Sequence, residues 1–124
     1  MESLHIEATE NSPKITMDYE NGIIEVEGKS YPENTFDFYA PILSWLETYC
    51  QNESAKQTII KMKLTYFNSA TSQVLFDFFD HVVEGELENL EVQWYYEKDK
   101  KGSLRDYEDY ADEFSDLNFE AVEF

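Results

Sequence analysis

Apolar and polar residues alternate in two short segments near the N-terminus, and this pattern predicts a pair of β-strands. Lys14–Tyr19 and Ile23–Glu27 place apolar residues at every second position, which is the period of a strand with one buried face. Asn21-Gly22 between them supplies the positive-φ positions that a tight hairpin turn requires. The segments therefore predict an antiparallel β-hairpin, and Leu4–Ala8 is a candidate for a short additional edge strand.

Three later segments carry apolar residues at helical spacing. Asn34 is placed to cap a helix over Thr35–Tyr49, in which Pro41 is expected to kink the chain or to delay the first turn. A second helix begins at Asn68, and its buried stripe consists of Leu75, Phe78, Phe79, Val82 and Val83. A third helix is predicted to begin at Ser103.

Strand-like runs separate these helices. Gln57–Phe67 is predicted to be a central strand, followed by Leu90–Tyr96 and by a last strand at Phe119–Phe124, with polar loops at Gln51–Lys56 and Lys98–Gly102. The predicted order is ββαβαβαβ. Because strand–helix–strand units make parallel neighbours through right-handed crossovers, this order predicts an α/β fold with a mixed sheet, about three helices and one domain over residues 1–124. The pattern leaves open whether the helices cover one or both faces of the sheet.

Composition narrows the classes of partner. The 124 residues include 16% aromatic residues, which is too much for a disordered chain, even at a formal net charge of -18. Twenty-seven acids against nine bases argue against nucleic acid or an anionic membrane as the ligand. The single cysteine, Cys50, excludes an internal disulfide, and no apolar run is long enough to span a bilayer. We expect a cytoplasmic protein that is not inserted in a membrane.

Hydroxyl side chains concentrate where the central strand ends and the second helix begins. Asn68, Ser69, Ala70, Thr71 and Ser72 occupy this junction, and ligands and partners dock at the corresponding edge of open α/β sheets. A helix N-terminus also tolerates a phosphate, because its backbone N–H groups are unpaired. Asn and Ser at this position are also ordinary helix N-caps that need no further role. Local chemistry alone thus favours a capping role for the junction.

Other groups of residues are weaker candidates for a functional site. Asp77 and His81 stand four residues apart on the second helix, which suggests a metal-dependent or acid–base site, but such pairs are usually solvated contacts. Two histidines and one cysteine are too few for a zinc site. The four glycines are scattered singly, so the sequence contains no glycine-rich phosphate loop. We therefore expect no metal and no cofactor.

Four short motifs in register resemble one family. Tyr31-Pro32-Glu33-Asn34, Trp45-Leu46-Glu47, Leu64-Thr65-Tyr66-Phe67-Asn68-Ser69 and Val92-Gln93-Trp94-Tyr95-Tyr96 are similar in order and spacing to the SiaC-like bacterial regulatory phosphoproteins. The resemblance extends from about Leu4 to the C-terminus. It implies a fold similar to STAS domains, the anti-sigma-factor antagonist type, in agreement with the order predicted above.

The resemblance implies a protein switch and not an enzyme. Members of the family are phosphorylated at the start of the second helix by a dedicated kinase and dephosphorylated by a PP2C-like phosphatase. In one branch the unphosphorylated form binds and activates a diguanylate cyclase, which raises cyclic di-GMP and promotes biofilm formation. The acceptor there is usually a Thr after Asn. The matching residue here is Ser69, which leaves Thr71 and Ser72 as rivals.

The hypothesis is that a dianion on Ser69 opposes docking by repelling carboxylates and by the cost of desolvating phosphate. Residues 68–72 would then frame the contact with kinase, phosphatase and output protein. An anti-sigma-factor antagonist that binds an anti-sigma kinase is the alternative within signalling. A small metal-dependent enzyme that uses Asp77 and His81, and an acidic mimic of nucleic acid, are the alternatives from other classes.

Overall fold

A computed structural model describes residues 1–53 and 56–124, and its regular elements alternate strands with helices. The strands are β1 (Leu4–Ile6), β2 (Lys14–Asp18), β3 (Ile23–Ser30), β4 (Gln57–Phe67), β5 (Asn89–Tyr96) and β6 (Phe119–Glu123). The helices are α1 (Thr35–Asn52), α2 (Ser69–Glu84) and α3 (Lys101–Glu113).

The strands form one mixed sheet in the order in which they occur along the chain. β1, β2 and β3 pair antiparallel, whereas β3 to β6 pair parallel. This arrangement confirms the predicted α/β class, the N-terminal hairpin and the three helices. The candidate edge strand is also confirmed, as β1, so the complete order is βββαβαβαβ.

All three helices pack on one face of the sheet. Tyr110 of α3 stacks on Trp94 of β5 at a centroid distance of 4.8 Å, and Phe79 of α2 contacts both rings. Tyr39 of α1 reaches β3 on the same side through a hydrogen bond with Ser30. Sequential right-handed crossovers produce this one-sided cover. The opposite face carries partly exposed polar side chains, among them an ion pair of Lys63 and Glu25 at 3.5 Å.

Helix α1 is longer than predicted. Asn34 caps it as expected, since the Asn34 side chain accepts a hydrogen bond from the Asp37 backbone N–H at 3.2 Å. The helix continues through Pro41, which lies exposed, and ends at Asn52. The first two residues of the predicted loop Gln51–Lys56 are therefore helical, and its positions 54 and 55 lie outside the described residues.

Strand β3 is also longer than the predicted Ile23–Glu27. Gly28 does not end it, because a glycine at φ +117° forms a β-bulge inside the strand. Gly28 pairs with Leu64 and the next residue pairs with Tyr66, so the register skips Thr65. The bulge carries β3 on to Ser30 and brings that residue beside the end of β4.

Helix α3 begins two residues before the predicted start at Ser103. Ser103 does not cap the helix, since its hydroxyl accepts a hydrogen bond from the Glu97 backbone N–H at 3.0 Å and thereby fastens the preceding loop. Lys101 and Gly102 of the predicted loop are consequently helical. Within the part of the chain that the structure describes, none of the helices has the length and apolar character that crossing a bilayer requires.

Candidate functional site

The junction between β4 and α2 is built around Asn68. Its side-chain oxygen accepts a hydrogen bond from the Thr71 backbone N–H at 2.9 Å, which makes Asn68 the N-cap of α2. Its own backbone N–H donates to the Ser30 carbonyl oxygen at 3.1 Å. The junction is therefore fastened both to the helix that follows it and to the neighbouring strand β3, and Ser69 is the first helical residue.

The three hydroxyls predicted as candidate acceptors differ sharply in accessibility. Ser69 is exposed. Ser72 is half-buried, and its hydroxyl lies 2.8 Å from the Tyr110 hydroxyl. Thr71 has 0% exposure. Among these candidates only the Ser69 hydroxyl can be reached by another macromolecule without movement of the helix, and the half-buried Ala70 next to it adds no polar side chain.

Thr71 belongs to a buried chain of hydroxyl groups. Its hydroxyl donates to the Ser30 carbonyl oxygen at 3.0 Å and lies 2.9 Å from the Ser30 hydroxyl. The Ser30 hydroxyl in turn lies 2.7 Å from the Tyr39 hydroxyl. Because each hydroxyl has one proton, the chain runs from Tyr39 to Ser30 to Thr71 to the carbonyl. Every member is satisfied, and the chain joins α1, β3 and α2.

Tyr110 holds Ser72 from the side of α3. Burial raises the pKa of Tyr110 to about 12, although its hydrogen bond with Ser72 acts in the opposite direction. The phenol is therefore protonated at neutral pH, and it donates to the Ser72 carbonyl oxygen at 3.3 Å. A phosphoryl group on Ser72 would displace this contact between two helices.

A cavity of about 600 Å³ opens beside Asn68 on the outer side of the junction. Its lining consists of Lys29, Tyr31, Thr65, Tyr66, Asn68 and Lys100. The Tyr31 and Tyr66 rings meet edge to face with centroids 5.7 Å apart, and their exposures are 37% and 53%. The sequence hypothesis expects a carboxylate-rich contact here. The lining contains two lysines instead, because the end of β3 and the loop before α3 converge at this point.

Several residues of this site lie outside the sequence prediction. Ser30, Lys29 and Lys100 come from segments that are distant in sequence from Ser69, and the predicted end of β3 at Glu27 excluded the first two. A signal existed in the topology, since parallel neighbours end at the same edge of a sheet and their C-terminal residues meet there. The Tyr31–Asn34 turn, which sequence alone could not place, reaches this surface through Tyr31.

The structure does not place Asp77 and His81 in a metal-binding group. Both residues lie on α2, but His81 lines a shallow cavity with Glu47, Cys50, Gln51, Glu84 and Gly85, and Asp77 is absent from that lining. Over residues 1–53 and 56–124, the structure contains no group of three or more His, Cys, Asp or Glu side chains arranged to hold a metal ion. Burial raises the pKa of the Cys50 thiol to about 11, as is typical of a core cysteine.

Comparison with known proteins points to one family. A family model described as "SiaC family regulatory phosphoprotein" matches residues 6–124. An uncharacterized protein of Pseudomonas aeruginosa (strain UCBPP-PA14) is 25% identical over 100 residues, which is 79% of each chain.

Two solved structures from Pseudomonas aeruginosa share the fold. One is apo-SiaC, with a TM-score of 0.88 and 23% identity over 98% of this chain and 99% of that one. The other is the diguanylate cyclase SiaD in complex with its activator SiaC, with a TM-score of 0.90 and 22% identity over the same shares.

Proposed function

The chain belongs to the SiaC family of regulatory phosphoproteins, and on this basis we propose that it is a non-enzymatic partner switch with Ser69 as its phosphate acceptor. In the proposed cycle a protein kinase transfers the γ-phosphoryl group of ATP to the Ser69 oxygen, and the hydroxyl proton is released. A PP2C-like phosphatase then hydrolyses the ester with water and returns the free serine and inorganic phosphate. The unphosphorylated form binds and activates an output protein.

The accessibility of Ser69 is the observation that carries this proposal. A kinase must bring its catalytic groups to the acceptor oxygen, and Ser69 is exposed whereas Thr71 is sealed among Ser30, Tyr39 and the start of α2. Phosphorylation of Thr71 would require both hydrogen bonds of its hydroxyl in the buried chain to break. Phosphorylation of Ser69 leaves them intact.

The proposed output partner is a diguanylate cyclase. This choice is supported by the family membership and by the likeness of the fold to a SiaC that is described as the activator of a cyclase. Residues 68–72 and the cavity beside them are the proposed contact surface, since they combine an exposed hydroxyl with an exposed aromatic pair. An exposed aromatic pair of this kind is typical of protein interfaces.

The acceptor is tested by intact-mass analysis after co-expression with the kinase encoded nearest to the gene. We expect the mass of one phosphoryl group on the wild-type chain and on Ser72→Ala, and none on Ser69→Ala. Peptide mapping then locates the group. A phosphopeptide that carries the group on Thr71 or Ser72 would overturn the assignment.

The direction of the switch is tested by the binding of the diguanylate cyclase encoded in the same genome. Ser69→Ala should bind it like the unphosphorylated wild type, whereas Ser69→Asp should bind it at least about tenfold more weakly, which corresponds to about 1.4 kcal/mol. Asp37→Asn, a change of charge at the start of α1, serves as the control. Equal affinity of Ser69→Ala and Ser69→Asp would reject the switch.

A further inference from the structure

We infer that Lys29 and Lys100 bind the phosphoryl group of Ser69 within the same chain and hold it over the Tyr31–Tyr66 pair. The inference rests on the proposed function, in which Ser69 carries the phosphate. It gives phosphorylation a consequence inside the protein itself. The modified serine covers the cavity that is open in the unmodified form.

The charge pattern of the molecule first points to these lysines. The chain has nine basic residues against twenty-seven acidic ones, so most of its surface repels an anion. The cavity next to Asn68 is instead positively charged, because Lys29 and Lys100 are its two charged lining residues. Ser69 is exposed and directly follows Asn68, one of the lining residues, so the acceptor is one residue away from this basic cavity.

The parts of the cavity are held in place by the fold. Lys29 lies opposite Tyr66 in the β3–β4 register, directly after the bulge at Gly28. Tyr31 is fixed at two points, because its backbone N–H donates to the Asn11 carbonyl oxygen at 2.8 Å and its hydroxyl donates to the Glu10 carbonyl oxygen at 3.2 Å. The long lysine side chains are the mobile parts, and they can follow a new charge.

Lys100 already has a partner that a phosphate can replace. It pairs with Glu97 at 2.7 Å, three residues earlier, and its side chain is 60% exposed. An exposed pair of this kind contributes little to stability. A phosphoserine carries about -1.5 to -2 charges and three acceptor oxygens, so it competes well against one carboxylate.

Capture of the phosphate changes the surface that a partner meets. In the unmodified protein Tyr31 and Tyr66 are 37% and 53% exposed and share the cavity with two lysines. With the phosphoryl group drawn onto both lysines, an anion stands above the rings and the lysines are neutralised. A partner that buries the rings, or that pairs its carboxylates with the lysines, loses both contacts at once.

The experiment places phosphoserine at position 69 of the full chain during translation and follows its ionisation by ³¹P NMR. The second pKa of a free phosphoserine is about 6, and two nearby lysines should lower it to about 5 to 5.5. The partial positive charge at the α2 N-terminus also lowers this pKa, so the contribution of the lysines is measured by comparing variants. Lys29→Met/Lys100→Met should raise the value again, whereas Lys61→Met, which removes a charge from the middle of β4, should leave it lowered.

Varying the salt concentration is a second test, because exposed charge pairs are screened above about 0.1 M ionic strength. The difference between the double variant and Lys61→Met should shrink as salt is raised. The same phosphoserine pKa in both variants at low salt would overturn the inference. If the double variant does not fold, the single variants Lys29→Met and Lys100→Met give the same comparison.

These results are independent of the proposed function. The phosphoserine is installed by the ribosome, so it is present whether or not any kinase modifies Ser69. Failure of the proposed function would appear as an unmodified Ser69 in the cell. Failure of the present inference would appear as a phosphoserine pKa that is the same with and without the two lysines.

Discussion

The Thr71 hydroxyl lies 2.9 Å from the Ser30 hydroxyl and also donates to the Ser30 carbonyl oxygen at 3.0 Å. This double contact joins the last residue of β3 to the first turn of α2. Both residues have 0% exposure, so the contact is protected from water. Its consequence is a division of roles within one turn of helix: Thr71 fastens the helix, and Ser69 is left available for modification.

Removal of the Thr71 hydroxyl should therefore cost stability. In Thr71→Val the Ser30 hydroxyl loses its acceptor inside the protein, and we expect the free energy of unfolding to fall by about 1–3 kcal/mol. Ser69→Ala should change it by less than about 0.5 kcal/mol, as is usual at an exposed position. Urea denaturation measures both. In the double variant Thr71→Val/Ser30→Ala the losses should be less than additive, and a Thr71→Val protein as stable as the wild type would contradict the role.

Loss of the cap at Asn68 should loosen the start of α2. Asn68→Ala removes the acceptor of the Thr71 N–H and should lower the free energy of unfolding by about 1 kcal/mol. Asn68→Asp keeps an acceptor and adds a negative charge at the helix N-terminus, so it should match the wild type. Thermal unfolding distinguishes the two, and Asn34→Ala at the start of α1 provides the matched comparison. Equal melting of Asn68→Ala and Asn68→Asp would show that the cap has no energetic role.

A methyl group at Gly85 should disturb the contact between α1 and α2. A Cβ there would lie 2.5 Å from the Cys50 Cβ and 2.7 Å from its sulfur, and overpacking of this kind costs about 1–3 kcal/mol. The φ of Gly85 is -72°, so the cost arises from the contact and not from the backbone. Gly102→Ala is the control, because nothing lies within 4 Å of the added Cβ. If both variants unfold at the same urea concentration, the close approach of the helices is not as described.

Alkaline pH should destabilise the protein through its buried phenols. Burial raises the pKa of Tyr39 and of Tyr110 from 10 to about 12. Since an unfolded chain ionises these groups first, their contribution is fully present below pH 10 and is lost as the pH rises toward 12. Urea midpoints measured from pH 8 to pH 11.5 should fall above pH 10. The tyrosinate absorbance near 295 nm should appear in two stages, and the later stage should coincide with unfolding in the wild type.

In Tyr110→Phe the later absorbance stage should be smaller. Ser72→Ala serves as its control, because that variant removes the Ser72 hydroxyl that contacts Tyr110 and leaves the phenol and the Ser72 carbonyl in place. A wild-type titration in which all tyrosines ionise together near pH 10, with the fold intact, would contradict the burial of these hydroxyls.

The sequence was sufficient for the fold wherever the signal was local. The alternation around Asn21-Gly22 predicted the hairpin, and Asn68 followed by hydroxyl residues predicted the start of α2 to within one residue, since Asn68 is the N-cap and Ser69 the first helical residue. The end of β3 was not predictable, because a glycine that usually ends a strand forms a bulge here, and only pairing with β4 shows this.

The site was partly predictable for the same reason. Its acceptor candidates are contiguous, so a short window of sequence was enough to find them. To rank these candidates by accessibility, one must know that Thr71 is bonded to Ser30, which is 41 residues away in the sequence. The lysines of the cavity come from two other segments. Contacts between such distant positions depend on strand order and register, which no local pattern encodes.

Alternation along β3 gives Ser30 and Lys29 opposite orientations at the end of the sheet, and the slip in register at Gly28 places Tyr66 of β4 beside Lys29. Ser30 turns inward to the helices, whereas Lys29 turns outward with Tyr66 into the cavity. Substitution of the outward Lys29 can therefore change partner binding without disturbing the core. Substitution of the inward Ser30 is expected to destabilise the fold first. Adjacent codons in this stretch are thus subject to different constraints, so a one-residue deletion here would exchange the two roles instead of merely shortening a strand.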